Sequence, residues 1–185
     1  MNVDDAIRRR VSVKEYTDAP VPRETIEELL ELAVLVPNHR MTEPLAFRVM
    51  GASAKRAYAE ALGRRKAKNV DDPGVAGQIV ERVVARTTAV PAMIGVLVRE
   101  AEDPEVREED YATAFMAIQN LCLAAVARGL GTHIKTGAVM GEPSLRSALD
   151  VGEAQRLAAI VFLGEPAEVP DPKDRTPAAE LTVYV

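Results

Sequence analysis

The 185-residue chain has little of what stabilises small secreted proteins or binds zinc. It contains one cysteine, Cys122, two histidines and no tryptophan, and only 4% of its residues are aromatic. One cysteine cannot form a disulfide within the chain, and two histidines alone cannot supply a zinc cluster. The sequence therefore predicts neither a disulfide framework nor a metal centre. Its length and its hydrophobic content of 48% are enough for an ordinary buried core.

The chain also lacks a basic excess. Its 23 lysines and arginines are outnumbered by 28 aspartates and glutamates, which gives a net charge of −5. No positive field over the whole chain is available for nucleic acid, although a local basic patch is compatible with this balance. The first residues, MNVDDAIRRR, contain two aspartates and no apolar stretch of a secretory signal. We therefore expect a cytoplasmic protein that binds neither nucleic acid nor membrane.

Long hydrophobic runs are scarce, and only residues 111–130 approach the length of a membrane span. This segment is rich in alanine and contains Gln119, Asn120 and Arg128, whereas a transmembrane helix needs about 20 strongly apolar residues. We predict instead a long helix, apolar nearly all round, at the centre of a domain or a dimer. Gly129 and Gly131 would end it, as glycine commonly does at a helix C-terminus.

The motifs of several enzyme classes are absent. The chain has no GxSxG, HExxH or CxxC sequence, and no GxGxxG follows a strand. These absences argue against serine hydrolases, zinc peptidases, dithiol oxidoreductases and Rossmann-type dinucleotide binding. Cys122 lies inside the apolar helix, where a buried, unreactive thiol is expected. No catalytic side chain and no metal ligand are therefore predicted.

The order of apolar patterns predicts helices interleaved with a few fully apolar strands. Helical spacing occurs at residues 3–10, 23–36, 52–68, 74–88, 111–130 and 143–149, and apolar runs of strand length at 46–50, 92–98, 132–136 and 157–163. This order predicts a helix-covered sheet in a single domain over residues 1–185. Residues 52–88 form an exposed helical excursion in this interpretation, and residues 164–185, with four prolines, an extended C-terminal arm.

Cations and a hydroxyl recur at alternate positions near the N-terminus. Arg10, Ser12 and Lys14 are two residues apart, so in an extended segment their side chains point the same way. Two cations and a hydroxyl on one face suit a phosphate group. Lys173 and Arg175 repeat this spacing in the C-terminal arm. A solvated basic surface is the alternative interpretation of both groups.

The order of these features resembles the flavin-dependent nitroreductase family, and most of all its small single-domain members. The resemblance is carried by separated blocks that span nearly the whole chain: Arg10-x-Ser12-x-Lys14 with Pro20-Val21, Val36-Pro37-Asn38-His39, Gly129-Leu130-Gly131-Thr132 with His133-Ile134-Lys135-Thr136-Gly137, and Phe162-Leu163-Gly164-Glu165-Pro166. It implies an α+β fold, a nitroreductase-like α/β/α sandwich with a central mixed sheet. It also implies a dimer built around the long buried helix.

The resemblance further implies FMN as the cofactor, held without a covalent bond at the interface of a homodimer. Eleven residues would contact it: Arg10, Val11, Ser12, Lys14, His39, Ile134, Lys135, Thr136, Gly137, Lys173 and Arg175. Arg10, Ser12 and Lys14 would hold the phosphate and ribityl end, with added charge from Lys173 and Arg175. Ile134, Lys135 and Thr136 would line one edge of the ring, and a backbone N–H near Gly137 would face it. His39 would come from the other subunit, and Lys135 would stabilise the reduced flavin. His133 would point away from the cofactor.

The activity that the resemblance implies is that of an NAD(P)H oxidoreductase. NADH or NADPH would reduce the flavin, and a flat, electron-poor acceptor such as a nitroaromatic or a quinone would then take its place in a ping-pong cycle. The flavin would carry the chemistry, which explains why no catalytic side chain is expected. The excursion at residues 52–88 would flank the active site.

Several residues depart from the usual pattern of the family. Val11 replaces a second arginine and Leu45 a tryptophan, while Leu35, Met41 and Glu43 stand where relatives often have basic or amide side chains. Each lost hydrogen bond to the ring would cost about 0.5–1.5 kcal/mol. These departures leave two alternatives open: an FMN storage or sensor protein without efficient turnover, and a flavin-free helical dimer with an interaction role.

Overall fold

Six helices and four strands make up the computed structural model, which describes residues 1–185. The helices are α1 (Val3–Arg9), α2 (Arg23–Ala33), α3 (Ala52–Ala67), α4 (Pro73–Thr88), α5 (Pro104–Ala127) and α6 (Pro143–Ala148). The strands are β1 (Leu45–Val49), β2 (Ala92–Arg99), β3 (Gly131–Lys135) and β4 (Gln155–Gly164). Short 3₁₀ turns occupy His39–Met41, Ala138–Gly141 and Ala178–Leu181.

The four strands form one sheet in the order β1-β2-β4-β3, and every neighbouring pair is antiparallel. The expectation of a mixed sheet is therefore wrong for these strands. α5 connects β2 with β3, which run in the same direction, but β4 inserts between them and pairs antiparallel with both. Parallel pairing is confined to an isolated bridge between Ser12 and Thr132 at the edge of β3.

Helices cover both faces of the sheet, and successive residues of the central strands supply two separate cores. In β2, Ile94 and Val96 face the core under α2 and α5, whereas Met93 and Leu97 face the core under α3 and α6. All four side chains are fully buried, which explains why β2 is a continuous apolar run. The α+β fold with helices on both sides of a sheet is thus confirmed.

The central helix α5 begins at Pro104 rather than at the predicted Tyr111. Asp103 caps it by accepting hydrogen bonds from the backbone N–H groups of Glu105 and Val106. The acidic composition of the first turn is typical of an exposed loop, which is why the sequence pattern placed the start of the helix later. Acidic side chains nevertheless stabilise this end of the helix, because the N-terminal end of the helix dipole is positive. Gly129, with a φ of 77°, ends the helix as predicted.

One face of α5 is buried and the other is exposed. By length and composition it is the one helix that could cross a membrane. Leu121 and Ala125 instead pack it against the sheet and α2, as in the core helix of a folded domain. Met116 and Gln119 lie on the exposed side. The predicted long core helix is therefore confirmed, although it is buried on one side only.

An extended segment after α1 lies along the edge of β3. The backbone N–H of Val13 donates to the Thr132 carbonyl at 2.9 Å. Val13 is buried directly over Gly131, where an added Cβ would lie 2.6 Å from Val13 Cγ2. This close approach leaves room only for glycine, because real Cβ atoms do not pack at that distance.

We predict that Gly131→Ala lowers the free energy of unfolding by about 1–3 kcal/mol, because the new methyl group overlaps Val13. Gly77→Ala is the matched control. Gly77 lies inside α4 with open space where its Cβ would be, so the same change raises the free energy of unfolding by about 0.5–1 kcal/mol. Denaturant unfolding at one protein concentration measures both, and equal effects would contradict the packing described for Gly131.

Candidate functional site

A cavity of about 680 Å³ lies between the extended N-terminal segment, α5, β3 and the C-terminal arm. Its polar and charged lining consists of Arg8, Arg10, Ser12, Lys14, Gln119, His133, Asp171, Lys173 and Arg175. Six of the eleven predicted cofactor residues therefore meet here, namely Arg10, Val11, Ser12, Lys14, Lys173 and Arg175. The volume is in the range of small-molecule sites, about 300–1,000 Å³.

Positive charge dominates this cavity, which we call the cationic cavity. Five cationic side chains line it against a single carboxylate. Arg8 forms an exposed pair with Asp4 at 3.9 Å, but no ion pair of the chain involves any of the other four. Cations that converge without a carboxylate partner repel one another, so the arrangement favours binding of an anion.

The extended conformation after α1 explains why these groups share one side. Val13 points into the core, and its neighbours Ser12 and Lys14 line the cavity together with Arg10. The alternation is the one that the spacing in the sequence predicts. The bridge from Ser12 to Thr132 ties the segment to β3 and sets its position along the sheet edge.

His133 also lines the cationic cavity, whereas the family resemblance implies that its side chain points away from the cofactor. Its Nε2 lies 3.1 Å from Nζ of Lys135. Burial, reinforced by the charge of Lys135, lowers the pKa of His133 to about 4. The imidazole is therefore neutral at pH 7 and accepts a hydrogen bond from the ammonium group, which can only donate.

Lys135 is half-buried on the same face of β3, with its ammonium group 5.1 Å from the centre of the Phe162 ring. Burial lowers the pKa of Lys135 to about 8, and the charges of Lys66, Arg86 and Lys14 add to this shift. The side chain therefore carries a positive charge at pH 7 in a position with no carboxylate partner. It extends the positive region from the cavity toward α3 and α4.

The other residues predicted to line the flavin ring do not lie on the same side of β3 as Lys135. Ile134 packs into the core under α5, on the opposite face of β3, because neighbouring strand residues alternate. Thr136 and Gly137 follow the strand in an exposed bend, where Gly137 adopts a φ of 102° that favours glycine. They line a second cavity of about 370 Å³, beside Tyr111. The structure thus places these two residues next to a different cavity from the N-terminal group.

His39 lies away from the cationic cavity of its own chain. It is exposed in a 3₁₀ turn, with Nδ1 2.8 Å from Oε1 of Glu109 on α5. Gln119 is the α5 residue at the cavity, and it follows Glu109 by about 15 Å along the helix axis. His39 is therefore not part of the lining of this cavity in its own chain.

The backbone of the turn that carries His39 is strained. Arg40, Met41 and Glu43 have φ values of 63°, 49° and 46°. Non-glycine residues in this left-handed region cost free energy and persist only where the surrounding structure holds them. Such strain concentrates at functional sites, which makes this turn a second candidate part of the site.

Sequence reasoning missed the buried polar network that holds this turn. Oγ1 of Thr42 donates a short hydrogen bond to Asp110, whose carboxylate is fully buried on α5. Asn38 Oδ1 accepts a hydrogen bond from the backbone N–H of Glu43 at 2.7 Å, and Arg99 donates to the Thr42 carbonyl at 2.7 Å. The signal in the sequence was Asp110, which stands just before the apolar stretch of the helix. An aspartate at such a position is rarely buried without a partner, so a hydrogen-bonding network could have been expected there.

These features can be compared with known proteins. The model of the nitroreductase family matches residues 7–165, so the chain belongs to that family. It is 32% identical over 176 residues to YfhC of Bacillus subtilis (strain 168), which carries a provisional NAD(P)H nitroreductase name. The alignment covers 94% of this chain and 89% of YfhC.

Two solved structures agree with the assignment. A nitroreductase-like family protein from Bacillus cereus has a TM-score of 0.86 and 27% identity, with coverage of 100% of this chain and 96% of that one. A protein from Desulfovibrio desulfuricans, solved in complex with FMN, has a TM-score of 0.74 and 28% identity over 100% and 97% of the two chains. The family resemblance inferred from the sequence blocks is therefore confirmed.

We predict that Lys135→Met raises the free energy of unfolding of the ligand-free protein at pH 7 by about 1 kcal/mol, a value discounted for partial solvent exposure. Folding lowers the pKa of Lys135 from 10.5 to about 8. The loss in the free energy of unfolding that its buried charge causes is therefore present in full below pH 8, and it disappears as the pH rises to 10.5. The variant loses this rise in stability, which unfolding measured across the window detects.

Lys68→Met, which removes an exposed lysine just after α3, is the control and should keep the wild-type pH profile. Parallel profiles for Lys135→Met and the wild type would show that Lys135 carries no such penalty.

Proposed function

We propose that the protein is an FMN-dependent NAD(P)H oxidoreductase of the nitroreductase type. Its acceptors would be nitroaromatics, quinones or similar flat, electron-poor molecules. The observation that carries this proposal is the cationic cavity, in which Arg10, Lys14, Lys173 and Arg175 converge without a carboxylate partner. A phosphate monoester supplies the negative charge and the acceptor oxygens that such a site lacks.

The residues present fit the phosphate and ribityl end of FMN. The four cations provide charge, and the Ser12 hydroxyl can both donate and accept a hydrogen bond. His133 contributes a neutral wall, because its lowered pKa of about 4 keeps it uncharged at pH 7. The cavity thus combines charge for a phosphate with neutral polar groups for a chain of hydroxyls.

Lys135, Thr136 and Gly137 would hold the ring end of the cofactor. The chemistry that the bound cofactor supplies is hydride exchange in two halves, from NADH or NADPH and then to the acceptor. The part of the protein is to bind, orient and tune. The half-buried ammonium of Lys135 keeps a positive charge near neutral pH, where it would favour the negative charge of the reduced ring.

A homodimer is part of this proposal. Ile7 of α1, Leu35 after α2, Met41 in the His39 turn and Met116 of α5 are 52%, 72%, 73% and 38% exposed, and all lie on or beside α5. Large exposed apolar patches are unusual in monomers and mark interaction surfaces. A second copy would cover these side chains and bring its own turn to the cavity. The exposed C-terminal arm would then lie across the partner.

An FMN storage or sensor protein without efficient turnover is the second candidate. The departures at Met41 and Glu43 favour it, since both residues lie in the strained turn expected beside the flavin. In this case binding of the cofactor would be retained, but the donor or the acceptor would not react well. A cytoplasmic location and the lack of nucleic-acid or membrane partners stay predictions from the sequence.

We predict that the purified protein retains added FMN after desalting and shows the visible spectrum of oxidised flavin. NADH or NADPH, added without oxygen, should bleach it, and a nitroaromatic or a quinone should restore it. The double variant Lys173→Ala/Arg175→Ala should bind FMN about tenfold more weakly, because two charge-assisted contacts are lost. Lys68→Ala, which removes an exposed lysine outside the cavity, is the control and should leave FMN affinity unchanged.

The outcomes separate the candidate functions. A flavin spectrum that neither donor bleaches would favour the storage or sensor protein over the enzyme. A protein that takes up no FMN, and whose melting temperature ignores it, would contradict both, because a specific ligand must stabilise the folded state. Light scattering tests the dimer separately, and a monomeric mass for the FMN-loaded protein would contradict that part.

A further inference from the structure

The cavity of about 370 Å³ beside Tyr111 lies at the edge of the sheet where β3 has ended and β4 continues. β3 pairs with residues 160–164 of β4, so residues 155–159 of β4 have no strand neighbour on that side. Leu157 and Ala158 line the cavity from this free edge. Ala158 is also the extra residue of a β-bulge in the pairing with β2, and such bulges are common next to active sites. We call this space the edge cavity.

Both layers of the fold supply a fixed wall of the edge cavity. Tyr111 of α5 comes from one side, and its ring packs edge-on against Phe115 with ring centres 5.1 Å apart. Arg146 of α6 comes from the other side, and its guanidinium group donates to the carbonyls of Gly152 and Gln155 at 3.2 Å. The edge cavity therefore has an anchored aromatic ring and an anchored cation.

Arg156 of β4 adds a second cation, which lies over the aromatic wall. Its guanidinium carbon is 4.2 Å from the centre of the Tyr111 ring. Glu100 and Glu108 line an adjoining cavity of about 260 Å³ together with Arg156, but neither forms an ion pair with it. A guanidinium group over an aromatic face still presents N–H donors that match a carboxylate.

The composition of the edge cavity differs from that of the cationic cavity. Arg146 and Arg156 are its only charged side chains, and no ion pair of the chain involves either of them. Met140, Leu157 and Ala158 supply an apolar part of the lining. Pockets that combine an apolar lining with a few placed charges suit small molecules of mixed character.

We propose that the edge cavity binds a small molecule with an apolar body and one carboxylate group, and that Arg156 selects the carboxylate. Thr136 and Gly137 line the same cavity, and both are assigned above to the flavin ring. The bound acid would thus lie beside the ring as the acceptor. This role as acceptor rests on the function proposed above, whereas binding of the acid does not.

Two glycines leave open space at the edge cavity and offer a second test of it. Gly137 and Gly141 line the cavity, and an added Cβ at either would meet nothing within 4 Å. Gly141 does not have a positive φ, so a larger side chain at this position meets no backbone strain. Gly141→Leu should therefore obstruct the cavity while both arginines stay in place.

Binding is measured on the full chain without added cofactor by fluorine NMR, with 4-fluorobenzoate and the neutral 4-fluorobenzamide as probes. We expect the acid to bind about threefold to tenfold more tightly than the amide, because an exposed charge contact is worth up to about one factor of ten. Arg156→Gln should abolish this preference. Arg156→Lys should retain only part of it, because lysine lacks the planar fork of donors. Gly141→Leu should weaken the binding of both probes.

Arg107→Gln is the matched control. Arg107 is exposed and lines the adjoining cavity, but it does not line the edge cavity. Its replacement removes the same charge from the same region of the surface, so the preference for the acid should stay at the wild-type value. Denaturant unfolding of each variant confirms that the comparison is made between folded proteins.

The role as acceptor is tested on the FMN-loaded protein, with NADH as donor. We expect a lower KM for 4-nitrobenzoate than for 4-nitrobenzamide, and we expect Arg156→Gln to remove the difference. The fluorinated acid should still bind to the FMN-loaded protein. Loss of its binding on FMN loading would overturn the role as acceptor, because the flavin ring would then fill the edge cavity itself.

Three results would overturn the binding site. The first is equal affinity for the two fluorinated probes. The second is a preference that Arg156→Gln and Arg107→Gln reduce equally, which would indicate a general field rather than a site. The third is wild-type binding of both probes by Gly141→Leu. Failure of the proposed function is recognised separately, as a protein that binds the acid but holds no flavin, or whose flavin neither donor bleaches.

Discussion

The pairing of the N-terminal segment with the edge of β3 is the constraint on which the rest of the site depends. It is made by the hydrogen bond from Val13 to Thr132, the bridge at Ser12, and the space that Gly131 leaves for Val13. This contact joins residues more than a hundred positions apart in the chain. It places the polar side of the segment beside the polar side of β3, and the cationic cavity is the space between them and the C-terminal arm.

Electrostatics explains why such a site can exist in an acidic protein. Several carboxylates elsewhere pair with nearby cations, as Glu60 does with Arg56 and Glu105 with Arg40. Arg10, Lys14, Lys173 and Arg175 of the cavity have no such partner, so a bound anion would relieve the repulsion among them. The same residues therefore favour binding of an anionic ligand. Burial keeps His133 neutral at pH 7, whereas Lys135, whose pKa burial lowers only to about 8, is still a cation there.

Local patterns in the sequence predict the parts of this structure that depend on local physics. The i, i+2 spacing of Arg10, Ser12 and Lys14, the continuous apolar run of β2 and the glycine stop of α5 all follow from strand alternation, burial or backbone conformation. The antiparallel order of the sheet and the inward position of His133 depend on which distant strands meet, which no spacing reports. The start of α5 at Pro104 and the buried Asp110 network were hidden for a related reason. Acidic residues are normally assigned to solvent-exposed loops, and only the packing around them shows that these belong to a helix or a buried network. The family resemblance, carried by blocks spread over the whole chain, supplied the fold that these local patterns could not.

The cations of the cavity that lack a carboxylate partner are proposed to hold a phosphate group. Calorimetric titration of the ligand-free protein with FMN and with riboflavin, which lacks only the phosphate, tests this proposal most directly. We expect FMN to bind at least about tenfold more tightly than riboflavin, and the difference to shrink as salt screens the cavity. Equal affinity for the two molecules at low salt would contradict it, because the cations would then contribute nothing to recognition of the cofactor.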